Sequence, residues 1–179
     1  NPLINSVSYN HIYEGNPFDM DQQEIEAQSN FPVEYAAGHH ALLETERAHD
    51  LSLGEGVVVA VTDTGVNYEH KDLKRNIWKN LDEVGLDEDG IDLCSNENDD
   101  DLNGMVDDCI GWDFAANDND PMPNTEREYH GSHVSGIIAA DANNEGVVGV
   151  APKAKVMAMK FYGVRGWTST TVFKSYKYA

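Results

Sequence analysis

The sequence predicts an α/β fold in three layers around a mostly parallel central sheet. Three observations carry this expectation. Five of the six residues from Val57 to Thr62 are Val or Thr, and the run is apolar without alternation, as in a strand covered on both faces. A second strand is expected over about 155–161 within VVGVAPKAKVMAMKFYG (147–163). Segments of helical character follow each strand, and a strand–helix–strand order needs a crossover, which sets the strands parallel.

Taken in order, residues 1–40 mix polar, acidic and apolar residues without a period and predict short helical turns and irregular backbone. They form an N-terminal extension, or the first segment of the domain that occupies 41–179. ALLETERAHDL (41–51) places Leu42, Leu43, Arg47 and Leu51 at the spacing of a short amphipathic helix, and LGEG (53–56) ends it with two glycines. The first strand follows and closes on Asp63-Thr64-Gly65. Residues 81–128 form an acidic insertion, with Trp112-Asp113-Phe114 as an apolar anchor inside it. HGSHVSGIIAADANN (130–144) predicts a helix of small residues that packs closely. GVAP then makes a loop before the second strand, and 167–179 begins another helix with Thr or Ser as its N-cap.

Charge narrows the function. The chain has 179 residues with 32 acids, 12 bases and a net charge of −20. That balance argues against nucleic acid and anionic membranes, which need basic patches. Residues 81–128 hold 17 acids and one base, Arg127. Such a run is either a solvated loop or a cation site. No stretch is apolar and long enough to cross a bilayer, and a start at Asn1 rather than Met reads as a processed chain.

The two cysteines, Cys94 and Cys109, bracket five aspartates and one glutamate. One Cys94–Cys109 disulfide in an exported protein is the expectation. Between them, NDDDLNGMVDD (98–108) follows the first half of an EF-hand pattern. Asp99, Asp101 and Asn103 alternate, Gly104 allows a sharp turn, the Met105 carbonyl turns inward, and Asp107 or, preferably, Asp108 closes the shell around Ca2+. Ile110 stands where an EF-hand carries its last Glu.

The catalytic expectation rests on Asp63 and His130. An acid at the carboxyl end of a buried strand sits where open α/β sheets place their sites. A serine hydroxyl needs an imidazole to remove its proton, and the imidazole needs a carboxylate to fix its tautomer. His133, one turn after His130, is expected to be a helix residue. A metal hydrolase using His130 and His133 is the remote alternative, since His-Glu-x-x-His is missing.

VAVTDTGV (59–66), HKDL (70–73), HGSHVSGIIAA (130–140) and GVVGVAPKAKVMAMK (146–160) occur in this order. Together they resemble the subtilisin-like serine proteases (subtilases), over about 54–179. The resemblance implies a subtilisin-like fold and a secreted endopeptidase acting on protein or peptide substrates. Asp63 would be the orienting acid and His130 the general base. The nucleophilic Ser, in a Gly-Thr-Ser context, and the oxyanion-hole Asn would lie outside this chain. Alone it would then be inactive, with the remainder of the catalytic domain as its partner. Lys71 replaces a common Pro and Ser132 a common Thr, and neither change removes a catalytic group. Ser132 and Ser135 read as packing residues.

The resemblance also implies a substrate edge at Gly166, Trp167 and Thr168, where a peptide would add as a strand and Trp167 would favour bulky apolar side chains. It implies a second calcium site at Asp72 and Asn143, with carbonyls of Asp141, Glu145 and Val147. The Asp-rich insertion itself resembles one carried by many bacterial subtilases, usually with Gly where Leu102 stands. The alternative function is a pseudoprotease or calcium-dependent binding module that keeps the fold without the chemistry.

Overall fold

A computed structural model describes residues 38–125, 128–163 and 166–179. The turns expected before residue 38 lie outside the described residues.

Four helices are described: α1 (Gly38–Leu43), α2 (Thr45–His49), α3 (His130–Ala139) and α4 (Ser169–Tyr178). None is long and apolar enough to cross a membrane. The helix expected over 41–51 is instead two short helices, parted at Glu44, whose φ of 51° is left-handed. Buried His40 anchors the break. Its Nε2 donates to the Val148 carbonyl at 2.9 Å, so its Nδ1, 2.6 Å from Thr45 Oγ1, accepts the Thr45 hydroxyl proton. Burial keeps this imidazole below its ordinary pKa.

The strands are β1 (Val58–Asp63), β2 (Gly111–Asp113) and β3 (Lys155–Lys160). They form one sheet in the order β1-β3-β2, parallel throughout. The apolar anchor expected at 112–114 therefore contributes a strand. β2 has three residues, too few to show a period in sequence.

Side chains alternate across a strand, and β3 shows what each face meets. Val156 and Ala158 join Val61 and, from α3, Val134, Ile138 and Ala139. Met157 and Met159 turn to the other face and join Trp112, Phe114 and, from α4, Tyr178. The sheet is thus sandwiched between α3 and α4, which gives the three layers.

Register decides where the chemistry sits. Asp63 pairs with Lys160, and Lys160 with Asp113. Paired residues share a face, so three ionisable side chains stand in a row at the carboxyl end of the sheet, on the α3 side. α3 stops at Ala139, short of the expected 144. Beyond it the Asp141 N–H bonds to the Asp72 carbonyl at 2.7 Å and the Ala140 carbonyl accepts from Gly149 N at 2.9 Å, which draws the chain out of the helix.

α3 approaches β1 closely at Gly131, where an added Cβ would lie 2.3 Å from the Gly65 carbonyl oxygen and 3.0 Å from Asp63 Cβ. At Gly136, one turn on, a Cβ would meet nothing within 4 Å. Gly131→Ala is therefore expected to destabilise by about 1–3 kcal/mol through overpacking. Gly136→Ala should stabilise by roughly 0.5–1 kcal/mol through helix propensity. Urea unfolding of both variants checks the contrast.

Candidate functional site

Asp63 ends β1 and His130 opens α3, and the close approach at Gly131 brings them together. His130 Nδ1 lies 2.9 Å from Asp63 Oδ1 and 2.8 Å from Oδ2. The Thr64 N–H donates to the same carboxylate at 2.6 Å. Thr64 Oγ1 also donates to the Glu128 carbonyl at 2.9 Å and accepts from Gly131 N–H at 3.1 Å. One hydroxyl thereby joins the strand end to the helix start. The Asp63 side chain is 17% exposed and that of His130 61%. The carboxylate is held inside while the imidazole reaches solvent. Because a carboxylate only accepts, Nδ1 carries a proton, and in the neutral ring Nε2 then presents its lone pair.

The neighbouring serines serve the backbone. Ser132 Oγ accepts from Asn67 N–H at 2.8 Å, and Ser135 Oγ donates to the Gly131 carbonyl at 2.7 Å. His133 lies exposed on α3.

The model of the subtilase family matches residues 54–179. This chain belongs to the subtilase family. It is 45% identical over 107 residues to Subtilisin-like protease 1 of Plasmodium berghei, covering 59% of this chain and 16% of that protein. It is 31% identical over 131 residues to thermitase of Thermoactinomyces vulgaris, covering 71% of this chain and 35% of that protein. Among solved structures, a serine protease of Aeromonas sobria matches at 28% identity and a TM-score of 0.48, over 71% of this chain and 16% of that one. The chain thus spans well under half the length of each of these relatives.

The acidic insertion of this subtilase gathers around a residue that the sequence reading passed over. Carboxylate oxygens of Glu83, Asp99 and Asp101 all lie within 4.8 Å of one another. Glu83 is fully buried. Its Oε1 accepts N–H groups of Asp100 and Asp101 at 2.9 and 3.3 Å. Its Oε2 is buried with no hydrogen-bond partner among the described residues. Burial pushes this carboxyl above its ordinary pKa, and Asp108 and Asp100 add repulsion. A buried carboxylate with one oxygen lacking a donor, grouped with two further carboxylates, fits a hard cation. The sequence signal for Glu83 was only an Asn-x-x-Glu at 80–83 inside an acidic run.

The remaining expected ligands take different positions. Asn103 Nδ2 donates to Asp101 Oδ2 and to Asp108 Oδ2, both at 2.9 Å, while its Oδ1 accepts from Met105 N–H at 2.8 Å. Asp108 is fully buried and also accepts from Asn80 Nδ2 at 2.7 Å and from the Tyr178 hydroxyl at 2.6 Å. The Met105 side chain packs against the Trp112–Phe114–Met159 cluster. Leu102 is 86% exposed and has a left-handed φ of 60°, a conformation that glycine adopts more readily. Cys94 and Cys109 are disulfide-bonded, with Cα atoms 5.6 Å apart. The bridge rests on the Glu83 carbonyl oxygen, which lies 2.7 Å from Cys109 Sγ and 3.2 Å from Cys94 Sγ.

Asp72 and Asn143 also meet. Asn143 Nδ2 donates to Asp72 Oδ1 at 3.2 Å, and Asn143 Oδ1 accepts from Glu145 N–H at 2.9 Å. Gly146 leaves room for the buried Asp72, since a Cβ there would lie 2.4 Å from its Oδ2. The Asp141 carbonyl accepts from Asn143 N–H at 2.9 Å.

At the expected substrate edge, Gly166 exchanges both backbone hydrogen bonds with Gly163, at 2.8 and 3.1 Å. Thr168 caps α4 in a reciprocal box with Thr171, which takes up the Thr168 N–H at 3.1 Å. Trp167 is 61% exposed and stands edge-on to Phe161 at 6.2 Å.

Tyr178 joins α4 to the insertion. Burial, with Asp108 next, pushes its hydroxyl well above its ordinary pKa. Tyr178→Phe removes a hydrogen bond to a charged acceptor and is expected to cost about 1.5–3 kcal/mol. Denaturant unfolding of wild type and variant measures this, and an unchanged midpoint would show that Asp108 is held by the two asparagines alone.

Proposed function

We propose that this chain supplies the acid and the base of a secreted, calcium-stabilised serine endopeptidase. The observation that carries the reading is the contact of His130 Nδ1 with both oxygens of Asp63, at 2.9 and 2.8 Å, in a chain of the subtilase family. Asp63 accepts the Nδ1 proton and holds the imidazole with Nε2 outward. Nε2 takes the proton of a serine hydroxyl as that oxygen attacks the scissile carbonyl, and returns it to the leaving amine. Asp63 balances the imidazolium in between. The serine and the oxyanion-hole Asn come from outside these 179 residues, so the chain by itself is inactive. Peptide substrates run past Gly166–Thr168, where pairing falls to the Trp167 main chain and the exposed indole flanks an apolar side chain.

Calcium supplies positive charge to a cluster that otherwise repels itself. Glu83, Asp99 and Asp101 hold it, with Asn103, Met105 and Asp108 completing or bracing the shell. Asp72 and Asn143 hold a second ion once the Asn143 oxygen turns toward it. The disulfide supports export into an oxidising compartment.

In the intact protein, a fluorophosphonate should label the nucleophile, and Asp63→Asn should lower kcat by about 10⁴-fold by favouring the wrong tautomer. A folded intact protein that resists the label and cleaves no peptide would replace this reading with that of a binding module. Adding calcium should raise Tm, by an amount equivalent to about 2.7 kcal/mol at a hundredfold excess over Kd. Asp101→Ala and Glu83→Gln should each shrink that response to what the Asp72–Asn143 ion contributes and leave kcat within a few fold. A Tm of the unmutated protein that ignores both calcium and EDTA would remove the cation reading.

A further inference from the structure

Lys160 is fully buried, an uncommon place for an ammonium. Its Nζ lies 3.1 Å from Asp113 Oδ2 and 3.5 Å from Glu128 Oε2. It donates to the Met122 carbonyl at 2.9 Å and to Asn124 Oδ1. It is the one cation within ion-pair reach of these two carboxylates among the described residues. The proposed chemistry does not use it: an ammonium in this setting is enclosed and engaged on every side.

Its contacts lead to both members of the candidate dyad. On the sheet, Lys160 is paired with Asp63 in register and shares its face. Across the loop, Lys160 grips residues 122, 124 and 128, just ahead of His130. Glu128 Oε2 also takes the Asn124 N–H at 2.8 Å, which folds this stretch onto the ammonium. The Glu128 carbonyl then receives the Thr64 hydroxyl, and that hydroxyl receives Gly131 N–H. The preceding residue, Pro121, accepts Val66 N–H at 3.0 Å. An added Cβ at Gly65 would lie 2.7 Å from the Pro121 carbonyl oxygen and 3.1 Å from Lys160 Cδ. The loop, the strand end and the lysine stem are therefore in mutual contact.

We infer that Lys160 is a positioning residue: its buried ammonium clamps Met122, Asn124 and Glu128 to the carboxyl end of the sheet and so sets His130 against Asp63. The dyad partners come from a strand and a helix 67 positions apart in sequence. Between them β2 joins the sheet, but among the described residues no bridge fixes the path from 119 to 125 that leads on toward α3. A cation shared by Asp113 on β2 and Glu128 before α3 supplies that fixed point. The charge pattern suits this role, because desolvation of a buried cation and two carboxylates offsets much of the stability their attraction would add.

The kinetic arm of the test rests on the peptidase reading, and the spectroscopic arm does not. In the intact protein, Lys160→Met and Glu128→Gln are each compared with wild type by near-ultraviolet circular dichroism and by the NMR signal of the His130 Nδ1 proton. The expected result is a folded variant whose Nδ1–H signal is shifted or broadened. kcat should fall by about 10- to 100-fold, the loss typical of an ångström-scale misplacement, with KM within a few fold. Lys160→Arg, which keeps the charge, should restore part of kcat and of the signal. If Lys160→Met fails to fold, Glu128→Gln decides, since it leaves the Lys160–Asp113 pair in place. A folded Glu128→Gln variant with the wild-type Nδ1–H signal overturns the inference, and so does one with wild-type kcat. If wild type cleaves nothing, the NMR comparison still decides on positioning, while the peptidase reading falls separately.

Discussion

The in-register parallel pairing of β1, β3 and β2 is the constraint from which the rest follows. It sets Asp63, Lys160 and Asp113 abreast on one face at one end of the sheet. A slip of one residue would turn Asp63 to the α4 side and break its contact with His130. Packing enforces the register, because Val61, Val156 and Ala158 must all reach α3 while Met157 and Met159 reach the other side. The apolar alternation that builds the core thus also aims the acid.

The acidic insertion is held by different physics. Much of its order comes from side chains that bond to backbone or to one another. Asn80, Asn103 and Tyr178 converge on Asp108, and the disulfide rests on the carbonyl of Glu83. Tyr178 also packs edge-on to Phe114 at 5.8 Å. The polar insertion and the apolar layer under α4 therefore meet at Tyr178 as well as at Met105.

Much of this was legible in sequence where a residue type has few uses. The Val-rich run announced β1, and Asp63 and His130 stood in motifs whose order marks the family. The helix after Thr168 was expected with its cap and has it. What could not be read depends on contacts distant in sequence. β2 is too short to show a period and exists because Trp112 and Phe114 find Met159. Glu83 joins Asp99 and Asp101 across more than a dozen residues, and no local pattern marks it. The break at Glu44 follows from His40 reaching Val148, 108 positions away.

The insertion also bears on the chain's own survival among peptidases. A cleft that takes a peptide as an added strand needs that peptide extended. Within 81–128, side chains repeatedly bond to main-chain N–H groups a few residues on: Asp87 to Asp89 and Ile91, Asn96 to Asn98, Asp99 to Asn103 and Gly104, Asp113 to Ala115 and Ala116, Asp120 to Met122. Each such turn curls the backbone and must be undone before the segment can lie flat in a cleft. The same aspartates that crowd negative charge together thus also hold these turns out of the extended shape.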